Sequence, residues 1–90
     1  KMIKSYKLFF TPMCPNCPSV KEFMKTQGME GKEIDATSDE GIEEARKYEV
    51  MSVPTVLFFD EKGELIGRAN NIEEVKRLIE NKSLADVGKA

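Results

Sequence analysis

Seven consecutive residues, Val53-Pro54-Thr55-Val56-Leu57-Phe58-Phe59, are almost all apolar, β-branched or aromatic, the pattern of a strand covered on both faces. A strand of that kind belongs at the centre of a sheet with helices packed above and below it. In a chain of 90 residues there is material for one such layered unit, because folding at this size buries only somewhat more than ~60% of the unfolded surface. The expected domain therefore covers 1–90, with its core over about 4–81 and a tail over 82–90 that carries no strong pattern.

The rest of the chain supplies the other layers. Tyr6, Leu8 and Phe10 alternate with Lys7 and Phe9, giving a strand with one fully apolar face that stops at Thr11-Pro12. Val20, Phe23, Met24 and Gln27 follow helical spacing up to Gly28. Lys32, Ile34 and Ala36 alternate with Glu33 and Asp35 in a short strand of modest β-propensity, suited to a sheet edge. Thr37 or Ser38 can cap a second helix, Thr37 with Glu40 as a capping box, and Ile42, Ala45 and Tyr48 form its apolar stripe; Gly41 weakens it. Asp60-Glu61-Lys62-Gly63 is a tight turn into a hairpin partner over 64–67. Asn70 or Asn71 caps a third helix, Asn71 with Glu74, whose core face is Ile72, Val75, Leu78 and Ile79. The order βαβαββα predicts an α/β domain with a four-stranded mixed sheet, parallel where a helix joins two strands and antiparallel in the hairpin.

Composition narrows the chemistry. Fourteen Lys and Arg against sixteen Asp and Glu give a net charge of -2, without the basic block that nucleic acid demands. The longest apolar runs fall far short of the roughly 20 residues of a membrane span, and no signal-peptide stretch follows the positive start; the expectation is a cytoplasmic monomer. With no histidine, Ser/His/Asp and Cys/His catalysis and His-based metal sites are excluded. Two cysteines cannot complete a four-thiolate site within one chain, and the sequence calls for no cofactor.

The chemistry that survives centres on Cys14-Pro15-Asn16-Cys17, between the first strand and the first helix. Two cysteines placed at random in ninety positions fall three apart only roughly 2% of the time, so the spacing asks for an explanation. A helix N-terminus favours a thiolate by roughly 0.3 to 1 kcal/mol, reaching ~2 when partly buried. Two intervening residues also let the sulfurs meet across one turn, so the pair can close and reopen a small disulfide. A purely stabilising disulfide would constrain a very short loop, to little effect. Shared metal or iron-sulfur binding by a dimer is the alternative from another class. Pro15 fits the first helical position, while Pro18, lacking an N–H, either kinks the helix or marks a delayed start with Cys17 as its cap. Met13, Pro15, Met51 and Val53 are candidates for an apolar rim, with core packing equally open to Met51.

Thr11-Pro12-Met13-Cys14-Pro15-Asn16-Cys17-Pro18 after a short strand, with Ser52-Val53-Pro54-Thr55 opening the third, resembles the thioredoxin and glutaredoxin superfamily, and within it the small glutaredoxin-like thioredoxins of archaea and bacteria. The resemblance runs from Lys4 to about Asn81. It implies the thioredoxin fold, a cis peptide bond before Pro54, Pro54 beside Cys14, and a Val53 backbone that pairs with an extended substrate segment. An ordinary strand-start proline is the lesser alternative for Pro54 on sequence alone. The resemblance also implies a protein disulfide reductase, with Cys14 as nucleophile, Cys17 as the resolving thiol, and Met13, Pro15, Asn16, Val53 and Pro54 contacting substrate. Its partners would be disulfide-containing proteins and an electron donor, either a thioredoxin reductase-like enzyme or glutathione. Glutaredoxins generally have tyrosine at the place of Asn16, and Gly-Gly followed by an acid where this chain has Gly67-Arg68-Ala69-Asn70-Asn71. Thioredoxins usually have tryptophan at the place of Met13 and a buried aspartate at that of Leu8. The uncharged Asn16 leans toward a reductant, between the glutaredoxin range of about -200 to -230 mV and the thioredoxin value near -270 mV. A redox domain excised from a larger reductase is a further reading.

Overall fold

The computed structural model describes residues 3–88; Lys1, Met2, Lys89 and Ala90, at the two ends of the expected domain, lie outside the described residues. In chain order the elements are β1 (Ser5–Phe10), α1 (Cys17–Lys25), β2 (Glu30–Asp35), α2 (Asp39–Lys47), β3 (Thr55–Phe59), β4 (Leu65–Ala69) and α3 (Ile72–Gly88). The four strands form one sheet in the order β2-β1-β3-β4. The expected βαβαββα architecture is therefore present, with β2 at an edge. Residues expected to form an unpatterned tail continue α3 as far as Gly88.

Strand direction differs from expectation at one connection. β1 and β2 pair in parallel, with Ser5 opposite Glu30 and Phe10 opposite Asp35, as a right-handed βαβ unit requires. The strands flanking α2 do not follow the same rule: β3 pairs with β1, not with β2, and runs antiparallel to it, Phe9 opposite Thr55 and Ser5 opposite Phe59. Seven residues, Tyr48 to Pro54, separate α2 from β3, enough chain to turn back after the helix and enter on the far side of β1. The run Val53 to Phe59 enters the ladder at Thr55, since Pro54 has no N–H to donate to a neighbouring strand. β4 completes an antiparallel hairpin, with a bulge between Phe58 and Phe59.

Period-two alternation sorts the core onto the two faces of the sheet. One face carries Tyr6, Leu8, Val56, Phe58 and Ala69, closed over by Val20 and Met24 from α1 and Val75 from α3. The other carries Phe9, Ile34, Leu57 and Phe59, against Ala45 of α2, its C-cap Tyr48, and Val50 and Val53 beyond it. Every residue of β3 is buried, as its composition demands, and each large apolar side chain so placed contributes roughly 1.5–3 kcal/mol. Ile42, expected in the stripe of α2, is instead exposed; the helix meets this face of the sheet through Ala45 and its C-cap Tyr48.

Capping follows side-chain chemistry closely. Ser38 is the N-cap of α2 and accepts from Gly41 N–H at 2.9 Å. The expected Thr37–Glu40 box does not form, because the Thr37 hydroxyl and N–H both donate to the Asp35 carboxylate, at 2.6 and 2.8 Å. At α3 the Asn71 carboxamide accepts from Glu74 N–H at 2.8 Å, and the Glu74 carboxylate accepts from Asn70 N–H at 2.7 Å. The box thus closes one residue upstream of the expected partner. In the β3–β4 turn, Asp60 accepts from the N–H groups of Lys62 and Glu64 at 2.9 and 3.0 Å, and Gly63 takes φ 83°.

One charge is drawn onto the α2 face of the sheet. Lys7 donates to the Glu44 carboxylate at 2.8 Å and lies 5.1 Å from the centre of the Tyr48 ring. The hydrogen bond raises the Lys7 ammonium above its ordinary value and lowers the Glu44 carboxyl; hydrogen bonds from Thr37 lower Asp35 as well. Depressed carboxyls stabilise the fold above the unfolded carboxylate range near pH 4 and lose that contribution as pH falls through their folded values; the raised ammonium contributes up to the unfolded lysine value near 10.4 and loses it above. Urea midpoints are therefore expected to be flat from about pH 5 to 10. Glu44→Gln should soften the acid-side decline, and a midpoint that keeps rising from pH 5 to 9 would contradict the assignment.

Candidate active site

The site is built where β1 ends. Thr11 to Cys14 form a turn closed by Cys14 N–H donating to the Thr11 carbonyl at 3.2 Å, and this turn brings Cys14 to the head of α1. The helix begins at Cys17 with Asn16 as N-cap and Pro18 inside its first turn. Of the two readings of Pro18, the delayed start is the one observed, with Asn16 and not Cys17 as the cap. Pro15 consequently precedes the helix and does not occupy its first position. A proline in the first turn removes an N–H that has no intrahelical partner there in any case. No acidic residue lies in that turn, so the positive end of the helix is not offset by its own side chains.

Cys14 and Cys17 are joined in a disulfide with Cα atoms 5.4 Å apart, inside the usual range for such a bond. The two sulfurs differ in setting: Cys17 is 2% exposed within the helix, whereas Cys14 is partly exposed ahead of it. Met13 and Met51 are 89% and 92% exposed, with Pro15 and Asn16 also at the surface and Val53 half-buried. Met51 is thus a surface residue and not part of the core.

The Val53–Pro54 peptide bond is cis, the geometry that the resemblance implies. Pro54 is buried, and with Asn16, Ser19, Asn70 and Glu73 it lines a recess of about 340 Å³; the cysteine loop and the proline therefore border one space. Thr55 and Asn70 hold this corner: the Thr55 hydroxyl donates to the Ser52 carbonyl at 2.6 Å, and the Asn70 carboxamide donates to the Thr55 hydroxyl at 2.9 Å. Sequence reasoning assigned Asn70 as a possible helix cap; its side chain braces the proline segment instead.

A second, larger recess of about 570 Å³ runs beside the first turn of the site, between α2 and the segment before Pro54, lined by Thr11, Ile42, Ala45, Val50, Met51 and Val53. Ile42 and Thr11 were missed as site residues. No signal in the sequence set Ile42 apart, since it falls in register with Ala45 and Tyr48 on the stripe read as core. Among the described residues no group of three or more Cys, Asp or Glu gathers as a metal site, and no helix is long and apolar enough to cross a membrane.

The thioredoxin domain family matches residues 4–80. This chain belongs to the thioredoxin family. A protein named Probable Thioredoxin from Archaeoglobus fulgidus is 34% identical over 58 residues, covering 60% of this chain and 64% of that protein; the chain therefore spans somewhat under two thirds of the relative it matches. Among solved structures, a thioredoxin pre-protein from Schistosoma mansoni superposes with a TM-score of 0.71 at 25% identity, covering 90% of this chain and 80% of that one. Thioredoxin 1 of Thermosipho africanus superposes at 0.69 with 19% identity, covering 96% and 99%, a likeness of fold. Within that fold this thioredoxin-family chain has a closed Cys14–Cys17 pair and a cis Val53–Pro54 bond. It places Met13 and Leu8 where the resemblance leads one to expect tryptophan and aspartate.

Proposed function

We propose that this thioredoxin-family protein reduces disulfides of other proteins through its Cys14-Pro15-Asn16-Cys17 dithiol. The observation that carries the reading is the asymmetry of the pair: a disulfide joins a partly exposed sulfur ahead of α1 to one sealed inside it. In the reduced protein the Cys14 thiolate attacks one sulfur of a substrate disulfide, forming a mixed disulfide and releasing the other substrate sulfur as thiolate. The Cys17 thiolate then attacks the Cys14 sulfur, closing the internal disulfide and releasing the second substrate thiolate. Two electrons pass from the dithiol to the substrate, and a donor dithiol must return them. Docking is by an extended segment of the substrate along the Val53 backbone, with Met13 and Met51 giving an adaptable apolar contact.

Arg68 to Asn71, standing where glutaredoxins have a second glycine and an acid, favour protein substrates over glutathione, and with them a thioredoxin reductase-like donor. The test offers the oxidised protein glutathione with its reductase, or a thioredoxin reductase system, and counts the thiols restored. Recovery with the reductase system supports the reading; recovery with glutathione alone moves the protein to glutathione-dependent chemistry. The role assignment is checked separately by brief alkylation of the reduced protein near pH 6. Cys14 should be labelled and Cys17 spared, because exposure and the positive helix end both favour the first sulfur. Equal labelling would sink it.

A further inference from the structure

We propose that Arg68 is a positioning residue for substrate docking, which clamps the end of α2 from β4 and so fixes the wall on which the substrate segment lies. The inference rests on the proposed function. α2 closes with Val50 N–H donating to the Ala45 carbonyl at 2.7 Å and Glu49 N–H to the Arg46 carbonyl at 3.2 Å. This is the Schellman pattern, whose left-handed position is usually glycine. Here it is Glu49, at φ 55°, a conformation that costs an L-residue energy unless its surroundings hold it. The Arg68 guanidinium supplies the hold: Nη1 donates to the Glu49 carbonyl at 3.0 Å and Nη2 to the Tyr48 carbonyl. A cation at the negative end of the helix and a planar fork spanning two carbonyls suit arginine and not lysine.

The residues that follow, Val50 to Val53, are the wall of the larger recess and lead into Pro54. The far end of this segment is pinned by the Thr55 and Asn70 bonds to Ser52 and Pro54. Arg68 therefore anchors the near end, and β4 and the residue after it brace both. The disulfide stands on β1 and α1, outside this clamp. Removing Arg68 should then harm docking without altering the sulfur exchange itself.

The experiment compares the wild-type chain, Arg68→Met, Arg68→Lys and the double variant Arg68→Met/Glu49→Gly. Each is assayed with insulin as a protein disulfide and with dithiobis(nitrobenzoate), a small disulfide that needs no extended wall. Arg68→Met should raise KM for insulin by about tenfold, the consequence of losing charge-assisted hydrogen bonds, with kcat and the small-disulfide rate held. Arg68→Lys should fall between. Glu49→Gly in the Arg68→Met background should recover much of the loss, because glycine takes positive φ freely. An unchanged KM in Arg68→Met, or equal losses on both substrates, overturns the inference while leaving the proposed function standing. A wild-type protein that reduces the small disulfide but not insulin overturns both.

Discussion

Replacing Cys14 by serine is expected to lower protein-disulfide reduction by at least about 10³-fold, the scale on which removal of an acting nucleophile is felt, whereas Cys17→Ser is expected to stall the reaction half-way. The difference follows from the order of the two exchanges. With Cys14 intact the first attack proceeds and a mixed disulfide forms; the serine hydroxyl at position 17 cannot displace the substrate sulfur, so the adduct accumulates. Cys14 is the single thiol left in this variant, so the adducts are attached through it; the comparison is Cys14→Ser, whose sealed Cys17 should capture few. Non-reducing gels and mass spectrometry of the Cys17→Ser protein after passage through cell extract give the readout. Protein adducts at position 14 support a disulfide reductase acting on proteins. Adducts dominated by glutathione would point to glutathione-dependent chemistry, and the absence of any covalent species would favour shared metal binding by a dimer.

Much of the scaffold behind that chemistry was legible in the chain. Val53 to Phe59 could be satisfied only by burial on both faces, and β3 is buried throughout. Asn71 and Glu74 announced the start of α3, and they bond as caps do. The spacing of Cys14 and Cys17 announced the site. What stayed hidden depends on contacts between distant residues. The antiparallel entry of β3 is decided by how Tyr48 to Pro54 turn, and no local pattern encodes that direction. Arg68 lies 19 and 20 positions from the carbonyls it binds, so nothing near it in sequence marks it. The exposure of Met51 is likewise a matter of where the loop stands, since an apolar residue after Val50 suits a core or a rim equally.

Gly41 is the residue at which sequence reasoning and structure predict opposite signs. On helix propensity alone Gly41→Ala should stabilise α2 by about 1 kcal/mol. In the structure Gly41 is buried at the third position of the helix, and a Cβ built there overlaps the Asp35 carbonyl oxygen outright and crowds the Ser38 hydroxyl. Both neighbours are already committed. The Asp35 carbonyl accepts from Ser38 N–H at 3.1 Å and from the Ser38 hydroxyl at 2.7 Å, and that hydroxyl in turn accepts from Gly41 N–H at 2.9 Å. Relief of the overlap must therefore break bonds worth about 1 kcal/mol each, including a helix cap of about the same worth, or spread strain of roughly 1 to 3 kcal/mol. These costs exceed the propensity gain, and Gly41→Ala is expected to destabilise the protein by about 2 kcal/mol, lowering the melting temperature by roughly 8 to 16 °C for a domain of this size. Ser38→Ala alone should cost about 1 kcal/mol. Because the two substitutions disrupt the same bonds, the double variant should lose less than their sum. Thermal and urea unfolding of the three variants give the comparison. A Gly41→Ala protein that melts at or above the wild-type temperature would mean that α2 can pull away from the end of β2 at little cost. The same movement would shift Ile42 and Ala45, so the recess beside the disulfide would not be the fixed surface that docking along Val53 requires.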